Sequence, residues 1–290
     1  VSSLHESFAG AARNRLAADV FGDAGRPVLL LHGGGQTRHA WRRTAVEIAR
    51  AGWVAYAVDQ RGHGESEWIA NGAYAFQDFA ADVTTVAAEL ERRHGVPPVA
   101  IGASLGGIAA LLAAGNAQER NLAPIFAALV LVDITPRVDL TGVAKVQGFM
   151  REHARDGFAT VEEAADAVAA YLPHRPRPRS TEGLKKNLRL HPDGRWRWHW
   201  DPRFLDGRRP VGGGPGETEE RLLAAARGLK IPAMLVRGGS SELVQEEHAR
   251  EFLALVPHAR FADVSGARHM VAGDKNDQFS AAILDFLKGL

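Results

Sequence analysis

The chain has 290 residues, 46% hydrophobic and 24% charged, with no cysteine and a formal net charge of +1. That is an ordinary globular composition, long enough to bury a core without disulfides or a structural metal. The missing cysteine excludes disulfide scaffolds, thiolate metal sites and thiol nucleophiles, and the near-neutral charge argues against nucleic acid, which needs a basic excess.

In chain order, alternation over the first twenty residues, around Gly10–Asn14, predicts a leading antiparallel hairpin. Apolar runs follow at Val28–Leu31, Trp53–Val58, Val99–Ile101, Ala128–Val132, Ala233–Val236 and Arg260–Val264, the pattern of buried parallel strands. Helical periodicity occupies Ala40–Ala51, Phe76–Arg93, Gly106–Ala114, Glu246–Leu255 and Gln278–Leu287. Strand alternating with helix specifies an α/β fold, a mostly parallel sheet flanked by helices. The alternation breaks between Arg137 and Arg227. Two helices are expected there, at Val143–Arg155 and Val161–Leu172, with a Pro/Arg-rich run at Pro173–Arg179 and glycines at Gly212–Gly216. The stretch reads as an insertion folded into a mainly helical cap, giving a core of residues 1–136 and 228–290 and a cap of 137–227.

The chemistry concentrates at strand ends. Val99–Ile101 runs into Gly102-Ala103-Ser104-Leu105-Gly106-Gly107 and then a helix, the arrangement of a nucleophile elbow. Such a tight turn strains the serine and needs glycine beside it so that the backbones can pack closely. No lysine follows, as a phosphate-binding loop would require. Upstream, Val28–Leu31 ends in His32-Gly33-Gly34-Gly35, where bare backbone N–H groups can face a pocket as an oxyanion hole. The amide of Leu105 would be one donor and that of Gly34 the second, with Gly35 as the fallback.

These segments resemble the α/β-hydrolase superfamily, in its capped, esterase-like branch, over essentially the whole chain. Asp59-Gln60-Arg61-Gly62-His63-Gly64-Glu65-Ser66 is similar to that family's D-x-R-G-x-G-x-S turn, which implies a structural role for His63. The resemblance places the general base at His269, just past the last strand, and leaves His32 to brace the oxyanion turn. It leaves two positions for the acid. Most of the superfamily carries Asp after the strand that is Ala233–Val236 here, where this chain offers Glu242. Some capped branches instead use an Asp-Ile-x-Pro segment, which here is Asp133-Ile134-Thr135-Pro136. Asp133 is favoured, since a carboxylate closing an apolar strand calls for a partner. Serine at the elbow separates the chain from relatives with an aspartate nucleophile, the dehalogenases and epoxide hydrolases.

The implied function is a serine hydrolase cleaving a small carboxylic ester, thioester or lactone, with neither cofactor nor metal. Carbon–carbon hydrolysis and perhydrolysis are the enzymatic alternatives, and a hydrolase-fold receptor is the non-enzymatic one. Arg137–Arg209 holds fifteen basic against ten acidic residues, so a basic segment offsets an acidic remainder. Within it, Arg195-Trp196-Arg197-Trp198-His199-Trp200 alternates with period two. Trp198 with Arg195 and Arg197 could offer an aromatic wall and a cation to an acidic substrate, or serve as the cap's own core and solvated face. Arg175, Arg177 and Arg179 read as a solvated linker. No apolar run approaches the roughly 18 to 20 residues of a membrane span, and Val1–Glu6 does not read as a secretory signal, so the expected location is the cytoplasm.

Overall fold

Why the candidate residues can meet at all follows from the order of the strands. The computed structural model describes residues 2–174, 180–211 and 217–290. The Arg175–Arg179 linker and the Gly212–Gly216 run lie outside the described residues. Strands β1 (Ser3–Ala9) and β2 (Arg15–Phe21) form the leading antiparallel hairpin. Then come β3 (Pro27–Leu31), α1 (Arg42–Arg50), β4 (Val54–Val58), α2 (Phe76–His94), β5 (Val99–Ala103), α3 (Leu105–Glu119) and β6 (Ala128–Val132). The inserted stretch contributes α4 (Leu140–Glu152), α5 (Val161–Tyr171), α6 (Glu182–Lys185), β7 (Leu188–Leu190), β8 (Trp196–Trp198), α7 (Arg203–Asp206) and α8 (Glu217–Gly228). The chain closes with β9 (Ala233–Gly238), α9 (Glu246–Leu255), β10 (Arg260–Val264), α10 (Val271–Asp274) and α11 (Asn276–Lys288).

The main sheet has eight strands in the order β1-β2-β4-β3-β5-β6-β9-β10, parallel from β4 to β10. Burial on both faces explains the continuous apolar runs. In β3, Val28 and Leu30 point to one face, against Trp41, Ile48, Phe279 and Ile283 of the α1 and α11 layer. Leu29 and Leu31 point to the other, with Phe79, Val83, Leu112 and Leu222 of α2, α3 and α8. Helix α8 lies within the stretch expected to be a cap, yet it packs on α3 closely enough that a Cβ on Gly115 would stand 2.6 Å from the Cβ of Ala225. The short β7–β8 pair is antiparallel and separate from the main sheet. Among the described residues no helix is long and apolar enough to cross a membrane.

Candidate active site

The chain order turns back between β3 and β5: from β3 it moves outward to β4, then crosses to β5 on the other side. Ligands in open parallel sheets bind beyond the carboxyl ends of the strands at such a reversal. The turn after β3 carries His32–Gly35 and the turn after β5 carries Ser104, so these two loops flank that point. Further along the same edge, Asp133 follows β6, Ser241 follows β9 and His269 follows β10.

Ser104 has φ 47° and ψ −114°, a conformation a side-chain-bearing residue holds only when its surroundings force it. The surroundings are glycine. A Cβ on Gly102 would stand 2.5 Å from the backbone of Gly106 and Gly107, and one on Gly106 would stand 2.4 Å from the carbonyl of Leu31. Any larger residue at either position would push α3 off the sheet and open the turn. Ser104 donates its backbone N–H to Val132 (3.2 Å), and its carbonyl accepts from Ile108, so helix α3 starts directly behind it. At the end of β6, Asp133 also has a positive φ, 49°, and donates its own N–H to Val236 (2.7 Å). Both strained residues are thus tied into neighbouring strands.

Two buried histidines hold the glycine turn. The Nε2 of His63 accepts from the Gly35 amide (3.1 Å), which makes Nδ1 the protonated nitrogen, donating to the Arg61 carbonyl (2.9 Å). His32 accepts the Gln60 amide at Nε2 (3.0 Å), and its Nδ1 meets the Gly33 carbonyl (2.7 Å). Burial holds both rings neutral, lowering His32 to about 4 and His63 to about 3, with the neighbouring His32 adding to the effect on His63. The Gly33 amide donates to the side chain of Gln36 (3.1 Å). Of the three glycine amides, those of Gly33 and Gly35 are therefore engaged, while that of Gly34 has no acceptor among the described residues. Beneath this, the Asp59–Ser66 turn is held by buried carboxylates. Asp59 pairs with Arg38 and accepts the Glu65 amide, and Asp82 takes a bidentate contact from Arg61 (2.6 and 2.7 Å).

His269 donates from Nδ1 to Asp133 Oδ2 at 2.8 Å. This leaves Nε2 as the ring's free lone pair. Asp133 is fully buried, and its other partners are the Gly238 amide (2.8 Å to Oδ1) and the Ser241 hydroxyl (2.5 Å to Oδ2). Ser241 in turn accepts the amides of Leu243 and Val244, both at 3.1 Å, so its proton is directed at the carboxylate. Glu242, the other acid candidate, points elsewhere: its carboxylate meets Arg268 at 2.9 Å and Lys145 at 3.7 Å.

The family model for the alpha/beta hydrolase fold matches residues 26–275. The chain belongs to the α/β-hydrolase-fold family. It is 30% identical to the esterase Rv0045c of Mycobacterium tuberculosis over 93% of this chain and 84% of that one. It is 27% identical to the non-heme chloroperoxidase CPO-A1 of Kitasatospora aureofaciens over 91% and 92% of the two chains. The crystal structure of E-2-(acetamidomethylene)succinate hydrolase superposes with a TM-score of 0.81 over 99% of each chain, at 21% identity. With esterase kinship over most of its length, the protein is a hydrolase.

In this α/β hydrolase the inserted residues take two kinds of place. Phe204 stands over the glycine turn, 3.2 Å from where a Cβ of Gly34 would lie, and Met150 covers Gly35. Trp198 is buried, edge-on to Phe158 at 5.2 Å. Arg195 donates to the carbonyls of Asp156 and Gly157, while Arg197 donates to that of Arg155 and forms a bidentate pair with Asp193 (2.6 and 2.9 Å). None of these contacts brings either guanidinium to Ser104. Sequence reasoning missed Ser241, although it adjoins Glu242 in the loop already under scrutiny. It also missed Phe204 and Met150, whose positions depend on how the insertion folds back.

Proposed function

We propose that this hydrolase cleaves small carboxylic esters, thioesters or lactones through Ser104, His269 and Asp133 and a covalent acyl-enzyme. The observation that carries this reading is the 2.8 Å contact from His269 Nδ1 to a buried carboxylate, at the strand-end edge that also holds a serine strained into an elbow. A serine hydroxyl needs an adjacent base to attack, and a neutral imidazole protonated at Nδ1 offers its Nε2 for that proton.

Ser104 Oγ attacks the acyl carbonyl and its proton passes to His269 Nε2. The carbonyl oxygen becomes an oxyanion, taken by the Leu105 amide at the start of α3 and by the free Gly34 amide. The imidazolium, held by Asp133, returns the proton to the leaving alcohol or thiol. Water then attacks the acyl-enzyme with the same histidine as base, releasing the acid and restoring Ser104. Phe204 and Met150 set apolar side chains against Gly34 and Gly35, which suits a short acyl group. The inserted stretch serves as a cap over the site, and the cysteine-free chain suits the cytoplasm.

A fluorophosphonate probe tests the reading. Labelling at Ser104 is expected, together with hydrolysis of p-nitrophenyl acetate or butyrate, and both should vanish in Ser104→Ala. Folded protein that neither labels nor turns over any short ester would overturn it in favour of a receptor. The similarity to a non-heme chloroperoxidase favours one further reading, in which hydrogen peroxide replaces water in the second step. Peracid formation from acetate and peroxide, lost in Ser104→Ala, would identify it.

A further inference from the structure

Two further donors stand open at the glycine turn beside Ser104. The first is Gln36. Its Oε1 accepts the Gly33 amide at 3.1 Å, and since a backbone N–H can only donate, that contact fixes which end of the carboxamide is oxygen. The carboxamide lies next to the elbow, because a Cβ on Gly33 would stand 3.3 Å from Gln36 Oε1 and 3.5 Å from Ser104 Cβ. The second is Trp200, a buried side chain of the insertion whose Nε1 lies 3.7 Å from where a Cβ of Gly35 would stand, further along the same turn. Gln36 Nε2 and Trp200 Nε1 have no acceptor among the described residues. Neither is sealed in the interior, in contrast to the indole nitrogens of Trp41, Trp68 and Trp198.

Donors held under cover without acceptors are costly unless something arrives to meet them. Neither group can accept, because an indole nitrogen only donates and the free end of the carboxamide is its NH2. The occupant must therefore present a lone pair. Neither donor is charged, and burial keeps His32 and His63 behind the turn neutral, so the matching group is an uncharged oxygen rather than a carboxylate. In the proposed mechanism the Leu105 and Gly34 amides meet the oxyanion, which leaves these two donors for a different oxygen. The insertion closes over the turn on either side of Gln36, with Met150 against Gly35 and Asn187 bonded to Thr37 at 3.0 Å. An oxygen held there lies beneath the insertion, close to the reacting carbonyl.

We propose that Gln36 and Trp200 together hold a second, uncharged oxygen of the substrate, so that this hydrolase prefers esters with an ether, hydroxyl or carbonyl oxygen a few bonds from the scissile carbonyl. The proposal rests on the acyl-enzyme reading through Ser104. The oxygen belongs either to the acyl part or to the alcohol part, and both offer the same lone pairs.

Isosteric ester pairs test it, each exchanging a CH2 for an ether oxygen. p-Nitrophenyl methoxyacetate against p-nitrophenyl butyrate places the oxygen in the acyl part, and 2-methoxyethyl acetate against butyl acetate places it in the alcohol part. The quantity read is the oxygen-to-methylene ratio of kcat/KM in a variant relative to the same ratio in the parent, which cancels the intrinsic reactivity of the esters. Trp200→Phe keeps the ring and loses the donor. Gln36→Glu loses the NH2 and keeps an acceptor for Gly33, whereas Gln36→Met loses both. In protein with the parental circular-dichroism spectrum, each variant should lower the ratio at least about fivefold for the same pair of esters. The pair that responds identifies the part of the substrate that carries the oxygen. Ratios unmoved at either residue would overturn the proposal. So would a fall shared equally by both members of a pair, which would mean that the two groups serve the oxyanion or merely hold the turn. If the parent hydrolyses none of the esters and Ser104 takes no fluorophosphonate, the acyl-enzyme reading fails and this assignment with it; labelled, active protein with unmoved ratios fails the assignment alone.

Discussion

The carboxyl edge of the main sheet and the inserted stretch use polar residues in opposite ways. Along the edge, Ser104, Asp133, Ser241 and His269 each follow a strand directly or within a few residues, and the strand ladder sets their backbones. Asp133 has three donors around it, one of them the imidazole. In the insertion the charged residues mostly serve one another, as in Arg197 with Asp193 and Arg155 with Asp206. Four of its elements are short, four residues each in α6 and α7 and three each in β7 and β8, and around them side-chain pairing does what long ladders do in the core. Under the proposed mechanism the polar residues of the edge carry reactivity and those of the insertion carry local structure, and substitutions should separate the two.

The largest effect should come from Ser104→Ala, with kcat for a short ester falling by about 10⁴-fold or more. Asp133→Asn should follow at roughly 10³- to 10⁴-fold, because an amide facing His269 favours the wrong tautomer. Glu242→Gln should change kcat by less than about threefold, since its carboxylate meets Arg268 and Lys145 and not the imidazole. Steady-state kinetics on the three purified variants check this order. A large loss in Glu242→Gln with a small one in Asp133→Asn would reverse the assignment of the acid.

Ser241→Ala should have an intermediate effect, lowering kcat by about tenfold with KM little changed. Removing the hydroxyl takes one donor from a buried carboxylate and leaves two backbone amides without their acceptor. Ser241→Thr, which keeps the hydroxyl, should recover most of the activity. A threonine variant as impaired as the alanine one would mean that Ser241 acts only through packing.

Much of this edge was legible in the sequence because strand-end chemistry leaves local marks. Gly102 is demanded by the backbone of Gly106 and Gly107, all within five residues of Ser104, although Gly106 is demanded by Leu31 on the neighbouring strand, and Ala128–Val132 and Arg260–Val264 match their strands residue for residue. The acid stayed open between two loops, since β6 and β9 are neighbours and either strand end could reach His269; only the spatial course of the β9 loop directs Ser241 to Asp133 and Glu242 to Arg268. The engagement of Gly35 by His63 was equally out of reach, because it joins turns 28 residues apart. In the insertion, the period-two alternation of Trp and Arg falls on β8, yet periodicity carries no information about which carbonyls the arginines meet.

The two buried histidines yield a stability prediction. Both are neutral when folded, with His32 near 4 and His63 near 3, against about 6.5 in an unfolded chain. The unfolded state then binds more protons below pH 6.5, so the contribution of each is complete above that pH. It is lost as pH falls toward 4 and 3, at about 1.4 kcal/mol per pH unit for each ring. His63→Gln, whose amide oxygen can still accept from Gly35, should be less stable than the parent at pH 8, and the gap should shrink by roughly 2.7 kcal/mol by pH 4.5. Urea unfolding at the two pH values measures it; a gap independent of pH would show that His63 charges without cost where it is buried.

The smallest effect expected tests the insertion's side of the comparison. Arg195 donates to the carbonyls of Asp156 and Gly157, so its guanidinium braces the turn that follows α4. Arg195→Gln should leave KM within about twofold for both a neutral ester and an acidic one such as a hemisuccinate, because half-exposed hydrogen bonds of this kind contribute about 1 kcal/mol or less to local order and nothing to substrate charge. The comparison of the two esters matters more than either value. A rise confined to the acidic ester would show that the guanidinium leaves those carbonyls when substrate enters, and the division between a reactive edge and a self-paired insertion would fail at that residue.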